Sequence, residues 1–368
     1  MAATTDFCKQ KTSFLDSKNL TAHQAKEKAQ YIAFAPVIFK VALALRNLGI
    51  LQLIETAENK GLSIEALQHQ IPYSEYGLNV LLHGGVQAGL LSKNHNNFIL
   101  TSTGYFFLND EMTKVNFDFV NDVCYRPLEH LESSIKNKRP EGLKEFGNWQ
   151  TVYEGLSQLP PQVQNSWFAF DHFYSDDVFD KVMPILFKND ITTILDIGGN
   201  TGKFAKRCIA YNPKAIVTIV DLPGQIGIAK NAVQPFNTNG NIQFHEADML
   251  LHENQLPSNT DIIWMSQFLD CFSENEIISI LKKCVAAMQE HTMVYILEPL
   301  TNRQRYPAAA FVVQLTSLYF TTVANGNSRM YSFEDMESML KKAGLEITSI
   351  TENIGICQTL IACKKATT

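Results

Sequence analysis

The stretch TTILDIGGNTGKF, residues 192–204, decides how the second half of the chain folds. A short apolar run carries one acid, Asp196, then turns through Gly198, Gly199 and Gly202 into a segment with helical spacing. Glycines at such a turn let the backbone bend tightly and approach a ligand, as a nucleotide-binding strand–turn–helix unit requires. The pattern is not the dinucleotide fingerprint G-x-G-x-x-G, because two glycines are adjacent and a carboxylate precedes them in the strand. A pyrophosphate needs the helix N-terminus clear of negative charge, so Asp196 would repel it and suits a cation instead.

Four more apolar segments follow, AIVTIVDL, IQFHEADM, TDIIWMSQF and MVYILEPL, each separated by a helix-length stretch. Continuous apolar strands of that length predict a parallel sheet covered on both faces. The final pair, LEITSITENI and CQTLIACKK, lies too close together for a helical crossover and predicts an antiparallel hairpin. The expected fold class is therefore α/β, Rossmann-like, with a mostly parallel seven-stranded sheet. Asp221, with Leu222 behind it, closes the second strand, where a carboxylate can take both hydroxyls of a ribose. Asp248 closes the third and can accept from an adenine amino group, with Met249 packing on the ring. Three strand ends with three acids fit adenine, ribose and a cationic sulfur with an amino-acid tail, which is S-adenosylmethionine.

The 368 residues suggest two or three domains, and a net charge of −6 gives no basic excess to attract a polyanion. Upstream of the α/β half, apolar residues recur at helical spacing from 22 to 57. Ser63 and Ser74 read as N-caps of two further helices, and NNFILTSTGYFFL alternates like a hairpin before another helix start. Helix, helix, helix and β-wing is the order of a winged helix. Such folds often read DNA, but no Lys or Arg lies between Gly61 and Ser92, so the candidate recognition helix cannot neutralise phosphates. The surplus of apolar residues around Phe34, Val37, Ile38 and Val41 points to a subunit interface and a homodimer.

Residues 1–112 are thus expected to form the winged-helix dimerisation domain, 113–190 a helical connector, and 191–368 the cofactor-binding domain. The connector contains SWFAFDHFYSDD, residues 166–177, whose aromatics, with Phe168 and His172, are candidates for an acceptor pocket. The N-terminus lacks the order of a signal peptide and no apolar run is expected to span a bilayer, which gives a cytoplasmic reading with no membrane partner. Seven scattered cysteines without metal-ligand spacing read as free thiols, and no metal is implied.

From about Phe34 to Lys365 the chain resembles the small-molecule O-methyltransferases of the plant caffeate and bacterial polyketide type. DIGGNTG is similar to that family's first motif, with Asn200 where a third glycine is common. The resemblance implies that Gly198, Asp221, Asp248 and Met249 hold S-adenosylmethionine, and that Ser266 stands where a Lys often touches it. It also implies a base after the fourth strand, in SQFLDCFSENE, residues 266–276. There the family's histidine is replaced by Asp270, just before an S-x-x-E capping box formed by Ser273 and Glu276.

Glu298 matches the acid that steers this histidine, and Ser328 replaces a second one. The residue Cys271 reads as packing. In the helix 308–323, which the family uses to close the acceptor pocket, Gln314 is a candidate polar contact. The expected activity is methyl transfer to a small aromatic or polyketide-like acceptor at oxygen. Its rivals are a cofactor-binding sensor that does not methylate and a DNA-binding regulator.

Overall fold

A computed structural model describes residues 20–367, so Cys8 and the N-terminal segment lie outside the described residues. The chain divides into two compact units, one ending at Asp118 and the other beginning at Phe119.

In the first unit, helices Ala22–Asn47, Ile50–Thr56, Ile64–Gln68 and Glu75–Gln87 precede a hairpin of strands β1 (Leu91–Asn94) and β2 (Asn97–Leu100). Local chemistry starts these helices: the hydroxyls of Ser63 and Ser74 accept from the backbone of Ala66 and Gly77. Leu45, Ile50, Leu51, Leu67, Leu78, Leu82 and Phe98 pack into one core, the winged-helix arrangement expected from the sequence. Helix Ala22–Asn47 buries only Ala42 and Leu45 and leaves Ile32, Phe34 and Val37 more than half exposed.

The expectation about apolar runs needs correction. Helices Ala22–Asn47 and Pro307–Ala324 are each long and apolar enough to cross a membrane by length and composition. Scattered polar residues hide this from a search for unbroken apolar runs. The second of these helices is built into its unit, with Val313, Tyr319, Phe320, Val323 and Ala324 buried.

The second unit is built on a seven-stranded sheet of β3 (Thr193–Ile197), β4 (Ile216–Asp221), β5 (Ile242–Glu246), β6 (Ile262–Ser266), β7 (Met293–Glu298), β8 (Leu345–Glu352) and β9 (Thr359–Lys365). Their order is β5-β4-β3-β6-β7-β9-β8. The first five run parallel, and β9 enters antiparallel between β7 and β8 as the expected hairpin.

Alternation along the strands serves two cores, as a sheet covered on both faces demands. Leu195, Ile197, Ile263, Met265 and Ile296 join Ile277, Ile280 and Leu281 on one face. On the other, Ile194, Val217, Ile219 and Trp264 join Phe204 and Ala205. Because β4 and β6 lie on opposite sides of β3, the chain reverses direction across the sheet there. A crevice opens at the carboxyl ends of the strands flanking such a switch point.

Candidate active site

Asp196, on β3, is 2 % exposed and its Oδ2 has no hydrogen-bond partner among the described residues. Burial, with Asp221 adding to it, pushes its carboxyl up to about 8. A buried acid without a cation is costly, and the missing side chain of Gly199 leaves it room: a Cβ there would come within 2.6 Å of Oδ2. Gly198 has a φ of +74°, and a Cβ on it would meet the Phe268 ring at 2.4 Å. The turn closes over Asp221, whose carboxylate accepts from the backbone of Asn200 at 3.0 Å and of Leu222 at 2.8 Å. Asp248 accepts from the Leu250 backbone at 2.8 Å, and the neighbouring Met249 is buried with its carbonyl held by Lys283 Nζ.

Gly198, Asp221, Leu222, Asp248 and Met249 all line one cavity of about 570 Å³. A smaller one, about 90 Å³, is lined by Asp196, Gly198, Gly199 and Ser266, together with Asp171 and His172. Ser266 Oγ is buried there without a hydrogen-bond partner among the described residues. Gly202 lines neither cavity; it takes the left-handed N-cap position of helix Lys203–Tyr211, close against Val233. The donor set fits the cofactor expected from the sequence: an orphaned buried acid for positive charge, carboxylates at two further strand ends and a glycine cradle that a Cβ would fill.

Opposite these residues lies the turn Leu269–Cys271, in which Asp270 is 7 % exposed and lines the large cavity. The capping box is present: Ser273 donates its backbone N–H to Glu276 at 2.8 Å, and the helix Glu274–Ala287 begins. From the end of β7, Glu298 Oε1 accepts from the backbone of Phe268 at 3.0 Å and of Leu269 at 2.8 Å. Burial, and then the Asp270 charge, hold the Glu298 carboxyl well above the usual range. Glu298 does not itself line the cavity. Burial raises Asp270 to about 6, opposed by a hydrogen bond in which Cys271 Sγ donates to its Oδ1 at 3.5 Å.

The turn is held from a second side. Asn325 donates to the Cys271 carbonyl at 2.7 Å and is itself fixed by Ser328, and Tyr331 donates to the Phe272 carbonyl at 2.6 Å. Aromatic side chains complete the wall. Trp167 Nε1 donates to the Tyr319 hydroxyl at 2.6 Å, and Tyr153 lines the same cavity as Asp270 and Cys271.

Three sequence candidates fall elsewhere than the acceptor wall. Helix Pro161–Ser175 turns Trp167, Phe170 and Asp171 to the large cavity, so His172 faces the smaller one beside Asp196. Phe168 stacks on His172 and lines neither cavity. Gln314 is exposed, because helix Pro307–Tyr319 presents Thr316 and Tyr319 to the cavity, and two residues are about 200° of turn. Sequence reasoning missed Tyr153, Trp167, Tyr319 and Asn325. The aromatic stripe at 166–177 was a usable signal for Trp167, but nothing around Tyr153 marks it.

A family model described as an O-methyltransferase domain matches residues 173–346, and one described as a Dimerisation2-like domain matches residues 26–98. The chain is 22 % identical to the L-tyrosine C(3)-methyltransferase of Streptomyces lavendulae, over 80 % of each chain. It is also 22 % identical to the acetylserotonin O-methyltransferase of Gallus gallus, over 80 % of this chain and 85 % of that one. Among solved structures, the S-adenosylmethionine-dependent methyltransferase SibL superposes with a TM-score of 0.67 at 19 % identity, over 92 % of this chain and 99 % of that one. With the strand-end acids and the glycine turn in place, the chain is an S-adenosylmethionine-dependent methyltransferase whose residues 173–346 match the O-methyltransferase domain family.

Proposed function

We propose that the acceptor presents a hydroxyl to Asp270 and is methylated at that oxygen. The carrying observation is that Asp270, more than nine-tenths buried, shares one cavity with the strand-end acids Asp221 and Asp248. When bound, S-adenosylmethionine supplies an electrophilic methyl group on a sulfonium. Asp221 would hold the ribose hydroxyls, Asp248 the adenine amino group, and Asp196 positive charge. Asp270 orients the acceptor hydroxyl and receives its proton. An ordinary carboxylate near 4 is a poor base for a phenol near 10, and burial narrows that gap by lifting Asp270 to about 6. Positioning supplies much of the remaining rate in an in-line displacement. The aromatic wall of Tyr153, Trp167, Phe170 and Tyr319 suits a flat aromatic acceptor and keeps water from the reacting atoms.

The Dimerisation2-like match and the exposed apolar side chains of Ala22–Asn47 support a homodimer, which sedimentation of the full chain would test. Nucleic acid is not proposed as a partner, because helix Glu75–Gln87 carries no Lys or Arg to neutralise phosphates. The decisive experiment on the mechanism is Asp270→Asn, assayed with methyl-labelled cofactor. Turnover should fall about a hundredfold with cofactor affinity unchanged, and Asp221→Ala should do the reverse. Unchanged turnover in the Asn variant would remove Asp270 from the mechanism.

A further inference from the structure

The large cavity is short of positive charge. Among the described residues that line it there is no Lys, Arg or His. Asp221 and Asp248 are taken up by the cofactor reading, which leaves Glu154, Asp171, Asp270 and Glu276 beside the aromatic wall, with Asp171 lying 3.8 Å from His172 Nδ1. Neighbouring cations are committed elsewhere: Arg329 pairs with Glu274 and Asp335, and Lys283 holds the Met249 and Leu251 carbonyls.

We infer that the acceptor carries a basic amine: a hydroxylated aromatic whose ammonium is held by Glu276, with carboxylate-bearing acceptors rejected. This rests on the hydroxyl reading above, which commits Asp270 to the reacting oxygen. A carboxylate entering the cavity would leave water, find no cation and face Asp270, and an unpaired charge taken from water is strongly penalised. An ammonium meets the reverse conditions, with carboxylates for its charge and aromatic faces for cation–π contact.

Glu276 is the acid with a free side. It is half-buried, and its Oε2 is engaged by the Ser273 backbone and hydroxyl at 2.8 and 2.6 Å. Its Oε1 has only the weak approach of Asn327 Nδ2 at 3.5 Å. Glu154 is exposed at the rim and receives the Gln150 N–H.

The test uses two phenols of nearly the same shape, tyramine and 3-(4-hydroxyphenyl)propionate, titrated calorimetrically into the full chain saturated with S-adenosylhomocysteine. Tyramine should bind at least about tenfold tighter. In Glu276→Gln that preference should collapse, because glutamine still completes the capping box but carries no charge. Equal or tighter binding of the carboxylate, no binding of either phenol, or a preference that survives in the Gln variant would each overturn the inference. Methyl transfer to tyramine, followed in parallel, separates the two readings. Loss of the charge preference with methylation intact sinks only the amine inference, and a preference without O-methylation sinks only the hydroxyl reading.

Discussion

Glu298 Oε1 lies 2.8 Å from the backbone nitrogen of Leu269, so the last residue of β7 holds the turn that carries Asp270. It accepts from Phe268 as well, which makes it the anchor of two backbone donors in a buried site. Glu298→Ala leaves both without an acceptor and should cost about 2–4 kcal/mol of stability, with turnover falling alongside. Glu298→Gln keeps one acceptor oxygen and should be the milder change in both. Thermal unfolding and turnover of the two variants check this; an Ala variant as stable and active as the parent chain would show that the turn needs no anchor.

The pH dependence of kcat/KM should have its acid limb near 6, since Asp270 must be ionised to receive a proton and burial raises it to about 6. The Cys271 thiol favours the ionised form by donating to Oδ1. Cys271→Ala should therefore move the limb to higher pH, and Cys271→Ser, which restores a donor, should move it back. A limb that stays in place in the Ala variant would mean that the thiol contact does not set the state of Asp270.

Much of this site could be read from the chain because its parts are local. Asp196, Asp221 and Asp248 stand at or near strand ends, and a parallel sheet brings such ends together whatever the loops do. The Ser273–Glu276 box placed Asp270 ahead of a helix for the same reason. What escaped depends on helix rotation or on distant segments. Gln314 and Thr316 differ by two residues but face opposite ways, and apolar spacing around both is too uniform to choose between them. Tyr153 joins Cys271 in the cavity wall, and Asn325 meets the Cys271 carbonyl, across more than fifty residues in each case, with no motif marking either. His172 lines the cavity beside Asp196 rather than the aromatic wall, because a one-residue step on a helix is about 100° of rotation.

Asp196 should set stability against cofactor binding. Its folded-state value of about 8 lies above the ordinary 3.8, so between these the folded chain keeps a proton that the unfolded chain has lost. Raising the pH through that window therefore costs stability, and the loss levels off once both states are ionised. Asp196→Asn removes the effect, and its melting temperature relative to the parent chain should climb from pH 4 to pH 8, while its affinity for S-adenosylmethionine falls. Parallel melting curves with a constant offset would refute the buried-acid account.

Gly198 joins the two halves of the site. Its φ of +74° is the left-handed region that a side chain disfavours by about 1–2 kcal/mol, and a Cβ would press on the Phe268 ring at 2.4 Å. Phe268 cannot simply retreat, because its backbone N–H is held by Glu298. Gly198→Ala should thus weaken S-adenosylmethionine binding at least about tenfold through the glycine turn, and lower turnover at saturating cofactor by displacing the Asp270 turn. Glu298→Ala frees Phe268 to move, so adding it to Gly198→Ala should cost less turnover than the two single losses combined. Cofactor titrations and saturated turnover on the double-mutant cycle measure the coupling, and strictly additive losses would show that Gly198 and the Asp270 turn are independent.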